Sequence, residues 1–243
     1  KLHLLLLLAA VNMDEQALTH LKALLESMVY YSTVNQIKTN ELERLYAQWC
    51  KQIREIHTDE ELTSFINNKI KPTISQWKVN NRSNFMRIGF DSMQQYRVKF
   101  ILARITKYVD VRRKNGGDAS NVAEFYEGGI EIEHIMPQKY SAAYGISEDD
   151  YNAAKQRLGN LTLLEKTINA SIGDDAFASK SKAYRQSAYY LTRSIAQLDD
   201  VGQQTAINRM NQKLRSWSSW GPSMIEDRQA ILYDLSEEIW SID

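Results

Sequence analysis

From Ile130 to Pro137 the chain departs from the helical pattern that governs the residues on either side. Ile130, Ile132 and His134 alternate with Glu131, Glu133 and Ile135, the period of two that a strand requires. Pro137 lacks the N–H that further pairing would need, so His134 sits near the strand's end. After a polar loop, Asn160 to Leu164 is a second short β-like run, and Glu165 to Ser171 can begin a helix. Strand, long loop, strand, helix is a ββα unit. It restricts the fold class to a mainly α chain, a helical domain with one small β element embedded in it.

Helical periodicity fills the rest. Ala17, Leu18, Leu21, Leu24, Leu25 and Met28 form one apolar stripe, and Leu42, Leu45, Trp49, Ile53 and Ile56 form another. Thr58-Asp59-Glu60-Glu61 is a capping box for a helix reaching Ile70, after which Pro72 is expected to interrupt. Val98, Ile101, Leu102, Ile105 and Val109 predict a long amphipathic helix ending in the basic turn Arg112-Arg113-Lys114-Asn115-Gly116-Gly117. Helices are also expected around Phe177 to Ile195, over Ala206 to Trp217, and after Gly221-Pro222. Trp217, Trp220 and Trp240 fall at apolar positions among acidic neighbours and read as packing anchors rather than a base-stacking platform. The composition shift near Gly116 to Gly129 suggests a helical scaffold region over 1–115 and a second region over 116–243, together forming one compact unit.

Charge is organised locally. The formal net charge is zero, which argues against binding a polyanion through bulk charge. Yet Asn80 to Lys114 carries nine basic residues against Asp91 and Asp110, whereas Ser194 to Asp243 carries four basic and eight acidic residues. Arg112, Arg113 and Lys114 are therefore the candidate nucleic-acid contacts. A single cysteine, Cys50, excludes an internal disulfide framework, and the four histidines are too scattered for a Cys/His zinc cluster; a cytoplasmic setting is expected. The start, Lys1-Leu2-His3 followed by Leu4 to Leu8, is too short to span a bilayer, so no membrane association is expected, and it reads as a buried helix end. It lacks an initiating Met, and a fragment of a longer protein is expected.

Phosphodiester hydrolysis needs a base for water, a cation to neutralise the pentacoordinate phosphate, and relief of charge on the leaving oxygen. His134 has the titration range of a base. Glu133 is a hard oxygen ligand suited to Mg²⁺, and Asn169 offers an amide oxygen from the helix side. Asn160 can hold the turn together or orient His134. Glu131-x-x-His134 also matches a di-iron helix spacing, but the segment reads as strand and no second copy exists. His3, His20 and His57 lie in or beside helical runs without nearby ligand-type partners and are expected to serve surface or core packing.

Glu133-His134-Ile135-Met136-Pro137, then Leu158-Gly159-Asn160-Leu161-Thr162-Leu163-Leu164, then Asn169 nine positions after Asn160, together resemble the HNH (His-Me finger, ββα-metal) nucleases. Within them the chain is similar to the C-terminal nuclease domain of GmrSD-type, modification-dependent restriction and anti-phage defence enzymes, over about residues 90 to 243. The runs Phe177-x-x-Lys180-x-x-x-Tyr184-x-x-Ser187, Ile225-x-x-Arg228 and Ile239-Trp240 also match that branch. The resemblance implies His134 as general base, Glu133 as acidic metal ligand, Asn160 as structural asparagine and Asn169 as helix-borne ligand. It implies a phosphate-facing or structural role for Lys180. The last ligand is Asn where much of the family has His, and the first is Glu rather than Asp, which favours Mg²⁺ or Mn²⁺ over Zn²⁺.

The expectation is thus a metal-dependent DNA endonuclease domain, with DNA as partner and targeting supplied by an upstream nucleotide-binding sensor domain or a partner subunit. The competing readings are an inactive helical interaction or nucleic-acid-binding module, and an RNA-cleaving nuclease of the same type.

Overall fold

The structure is a computed structural model that describes residues 2–200 and 202–242; Lys1, Val201 and Asp243 lie outside the described residues. The chain divides into two compact units, residues 1–85 with 240–243, and residues 86–239.

The first unit is helical throughout its described elements: α1 (His3–Ala9), α2 (Glu15–Val34), α3 (Thr39–Ile53), α4 (Asp59–Phe65), α5 (Lys71–Lys78) and α6 (Asn81–Phe85). The Leu4 to Leu8 run is helical as expected but only partly buried. Leu6 is inside, while Leu4, Leu5 and Leu8 are exposed. Asp14 caps α2 by accepting from the Ala17 N–H, and the predicted capping box forms, Thr58 with Glu61. Pro72 does not interrupt the helix. A π-helical turn over Ile66–Ile70 leads into α5, where Pro72 occupies the first turn and needs no N–H partner. Trp240 stacks on Tyr30 with ring centroids 3.9 Å apart, and its indole N–H donates to Glu26.

The second unit contains α7 (Gln95–Arg112), β1 (Ile130–His134), α8 (Glu148–Gln156), β2 (Leu161–Glu165), α9 (Lys166–Ile172), α10 (Phe177–Tyr184), α11 (Tyr190–Ala196), α12 (Ala206–Asn211) and α13 (Pro222–Ile239). It extends upstream of the composition shift at Gly116 because α7 packs against β2, α11, α12 and α13. Val98, Ile101, Leu102, Ile105 and Val109, the stripe read from the sequence, are fully buried. Each such side chain contributes about 1.5–3 kcal/mol relative to exposure.

The two strands pair antiparallel, with Ile130 opposite Glu165, Glu133 opposite Thr162 and His134 opposite Leu161. Gly128 and Gly129 enter β1 at positive φ, which glycine adopts without strain. Directly opposed residues share a face, so Glu131, Glu133, Thr162 and Leu164 lie together. Leu164 joins an apolar cluster with Ile172, Phe177, Tyr184, Ile195 and Trp220, which seats α9, α10 and α11 against the hairpin. The fold of the described residues is therefore mainly α with one two-stranded sheet followed directly by a helix, the class the periodicity predicts.

Candidate active site

The turn after β1 is fixed by Asn160. Its Oδ1 accepts from the Met136 N–H (2.7 Å) and the Trp220 indole N–H (2.9 Å). Its Nδ2 donates to the Met136 (3.3 Å) and Lys155 (2.8 Å) carbonyls. All four bonding positions of a fully buried amide are used, so Asn160 clamps the turn and does not bond the His134 ring. The neighbouring Gly159 lies against α13. A Cβ there would meet the Ile225 carbonyl oxygen at 2.0 Å. Arg228, from α13, donates to the Gly159 (2.8 Å) and Leu161 (2.7 Å) carbonyls, and burial lowers its pKa to about 9. The Gly-Asn-Leu stretch is thus a docking strip for α13 as well as the start of β2.

Downstream, the Pro137 to Lys139 loop is held by both carboxylate oxygens of Asp174, which accept from the Gln138 (2.6 Å) and Lys139 (2.9 Å) N–H groups. The acidic cluster at Glu148 to Asp150 begins α8, where Ser147 caps the Asp150 N–H. Glu148, Asp149 and Asp150 fill the first turn of α8, where carboxylates favour the helix dipole, and Asp174 pins the loop.

Glu133 points into the unit. Its Oε1 accepts from Lys180 Nζ (2.7 Å) and from the Tyr184 hydroxyl (2.9 Å), and both donors come from α10, four residues apart on one helical face. Lys180 also donates to the His134 carbonyl at 2.7 Å. Burial pushes the Glu133 carboxyl above the usual carboxylate range, the Lys180 ammonium opposing it, and burial together with Glu133 holds the Tyr184 phenol well above its ordinary value. Lys180 is only 1% exposed, so its ammonium is committed inside the protein. Of the two roles implied by the resemblance, the geometry matches the structural one; facing a phosphate would require the Lys180 ammonium to abandon both internal partners, Glu133 and the His134 carbonyl. Both side-chain donors go to Oε1, so among the described residues no side-chain donor reaches Glu133 Oε2, and the His134 backbone N–H adds an interaction with the carboxylate.

His134 ends β1 with its ring against Phe90, edge to face at 4.8 Å between centroids. The imidazole is 3% exposed and its Nε2 is buried without a hydrogen-bond partner. Burial first, then the Lys180 and Lys155 charges, depress its pKa to about 4, with Asp174 opposing. The ring is neutral near pH 7, the protonation state that a general base requires.

Asn169, on α9, donates from Nδ2 to Glu131 Oε2 at 2.9 Å. The structure therefore pairs Asn169 with Glu131 rather than with Glu133, although alternation puts both carboxylates on one face of β1. Alternation places His134 on the other face, at the strand end. The basic turn is not joined to these residues. Arg113 is ion-paired to Asp110 (3.4 Å) and Asp199 (3.7 Å) and lies over the Tyr190 ring. Arg112 lies over the Tyr108 ring, and Lys114 is exposed. Helical rise puts Arg112 about 20 Å along α7 from Lys99, whose ammonium bonds the Ile130 carbonyl.

Sequence reasoning missed Glu131, Tyr184, Phe90 and Trp220 as parts of this arrangement. Two had a signal: Glu131 is two residues before Glu133 on a strand, and Tyr184 is four after Lys180 on a helix. Phe90 and Trp220 reach the site only through tertiary packing.

As a cation site, the arrangement supplies hard oxygen donors: no side-chain donor reaches Glu133 Oε2 or Asn169 Oδ1 among the described residues. No three His, Cys, Asp or Glu side chains gather as a metal cage among them. A cation here would take one carboxylate and one amide oxygen and complete its shell with water and phosphate, the coordination Mg²⁺ favours. The donor types, a carboxylate and an amide oxygen, are those such an ion takes.

Among the described residues no helix is long and apolar enough to cross a membrane. No curated protein sequence matches the chain. A family model described as GmrSD restriction endonucleases, C-terminal domain, matches residues 76–235, which include β1, β2, α9 and every polar partner described above. On that match the chain belongs to the family of C-terminal domains of GmrSD restriction endonucleases, and its role is that of a restriction-type nuclease.

Proposed function

We propose that this nuclease is of the HNH type and hydrolyses DNA phosphodiesters with one divalent cation, Mg²⁺ or Mn²⁺. The observation that carries the reading is the His134 imidazole, held neutral at the end of β1 with Nε2 lacking a partner. A buried polar atom left without a hydrogen bond costs about 1–3 kcal/mol, a cost tolerated where the atom has work to do on a substrate. His134 takes the proton of the attacking water at that nitrogen. Glu133 and Asn169 would hold the cation, which supplies neutralisation of the phosphate and of the leaving oxygen. Lys180 and Tyr184 fix the Glu133 carboxylate through Oε1, leaving Oε2 as its free donor. Asn160 fixes the turn from which His134 projects.

Zero net charge and the internal pairing of Arg113 support weak intrinsic affinity for DNA, so target choice falls to another domain or a partner subunit. Arg112 and Lys114 remain available as peripheral phosphate contacts.

Supercoiled plasmid incubated with Mg²⁺, Mn²⁺, Ni²⁺ or Ca²⁺ tests the reading, with RNA run alongside. The wild-type chain is expected to nick DNA with Mg²⁺ or Mn²⁺, and His134→Ala to lose nicking while keeping its circular dichroism spectrum. Undiminished nicking by that variant would sink the assignment, and cleavage restricted to RNA would replace the substrate.

A further inference from the structure

The amide of a ligating asparagine has a problem of direction. Only Oδ1 binds a hard cation, yet a half turn about the last side-chain bond exchanges Oδ1 for an NH₂ group that repels one. Something must set which way the amide faces. In this chain Asn169 Nδ2 donates to Glu131 Oε2 at 2.9 Å, and Oδ1 has no hydrogen bond among the described residues. An ionised carboxylate is an acceptor only, so Glu131 can receive the NH₂ end and cannot satisfy the oxygen end.

We infer that Glu131 is a positioning residue for the cation site, fixing the Asn169 amide so that Oδ1 is presented to the ion. Three placements support this. Glu131 and Glu133 alternate onto the same face of β1, so the amide held at Glu131 is about 7 Å along the strand from the carboxylate position at Glu133, a separation that two side chains can close around one ion. Glu133 cannot orient Asn169 through Oε1, because that atom already accepts from Lys180 and Tyr184. Glu131 itself is held in place from behind. Lys99 anchors the adjacent Ile130 carbonyl at 2.8 Å and its charge interacts with the Glu131 carboxylate. The two carboxylates thus divide the work: Glu133 offers an oxygen to the ion, and Glu131 offers one to the amide that shares the ion.

The inference rests on the cation-dependent reading above, and it requires a readout other than cleavage. Mn²⁺ titration followed by electron paramagnetic resonance gives the dissociation constant for wild type, Glu131→Ala, Glu131→Gln and Asn169→Ala, with thermal melting as the fold control. Removing an orienting partner typically weakens a metal site about 10- to 100-fold. Glu131→Ala is expected to weaken Mn²⁺ by about tenfold or more with little change in melting temperature. Glu131→Gln retains an oxygen that accepts from Asn169 Nδ2 and is expected to stay within about threefold of wild type. A Glu131→Ala variant binding Mn²⁺ as wild type does overturns the inference while leaving the nuclease reading intact. Equal losses in the Ala and Gln variants also overturn it, since charge rather than orientation would then be responsible. A wild-type chain that neither binds Mn²⁺ nor nicks DNA overturns both.

Discussion

Replacing Lys180 by Met decides whether that lysine serves the fold or the substrate. The methionine keeps most of the aliphatic volume and removes the ammonium, leaving the Glu133 carboxylate 7% exposed with the Tyr184 hydroxyl as its remaining side-chain donor. The cost has a ceiling. A carboxyl stranded in this way can neutralise itself, and protonating a group of ordinary value 4.5 at pH 7 costs about 3.4 kcal/mol at 1.36 kcal/mol per pH unit. Losing the bond from Lys180 to the His134 carbonyl adds about 1 kcal/mol. The sum agrees with the 3–5 kcal/mol typical of breaking a buried pair by removing one partner. Urea unfolding at pH 7 should therefore show Lys180→Met destabilised by about 3–5 kcal/mol. At pH 5 the protonation cost falls below about 1 kcal/mol, so the deficit should shrink to about 2 kcal/mol. The double variant Glu133→Gln, Lys180→Met should recover much of the loss, because no charge is left unpaired. The reasoning is refuted if Lys180→Met is nearly as stable as wild type. It is refuted equally if the variant instead lowers the salt dependence of DNA binding by about one ion, the signature of a lost phosphate contact.

Two further outcomes follow from the same packing. The folded pKa of His134, about 4, lies below its ordinary 6.5, so between those values the unfolded chain takes up a proton that the native chain refuses. That contribution leaves stability untouched above pH 6.5 and removes it as pH falls towards 4, by about 3–4 kcal/mol in full. His134→Ala should lose less stability than wild type between pH 7 and 4.5 in urea unfolding, and parallel pH dependences would contradict the burial argument. Gly159→Ala places a Cβ 2.0 Å from the Ile225 carbonyl oxygen, a backbone atom that cannot step aside without moving α13. A loss of about 3 kcal/mol or more is expected; a variant that melts with wild type would mean that α13 does not bear on Gly159.

The fold class was legible because both of its signals are local. Period-two alternation with a terminal proline marks β1, and five residues at helical spacing mark α7, whose stripe is wholly buried. Pro72 misled for a local reason too, since a π-helical turn before it was invisible in the pattern of apolar residues. The site is different in kind. Asn160 can be read as a residue that holds a turn, but its partner Trp220 is 60 positions away, and Glu133 and Lys180 are 47 apart. Contacts at that separation are set by how helices pack, and no window of sequence carries them. The basic turn at Arg112 to Lys114 shows the converse. Its charge is plain in the sequence, yet Arg113 is already paired with Asp110 and Asp199, partners that a count of charges cannot identify.

What separates scaffold from chemistry in this unit is which polar atoms are already satisfied. Asn160 makes every bond its amide allows, and Lys180 and Glu133 Oε1 meet in a buried pair. These groups specify one arrangement, because a buried polar network is stabilising only when it closes. Among the described residues, His134 Nε2 is buried without a partner, and no side-chain donor reaches Glu133 Oε2 or Asn169 Oδ1. A base nitrogen and two hard oxygens are the complement of a water molecule, a divalent cation and a phosphate. Each open atom belongs to a side chain or a turn whose other end is tied down, by the Asn160-clamped turn, by Lys180 and Tyr184, and by Glu131 respectively. Orientation would then precede binding, and the closed network is what makes the open atoms usable.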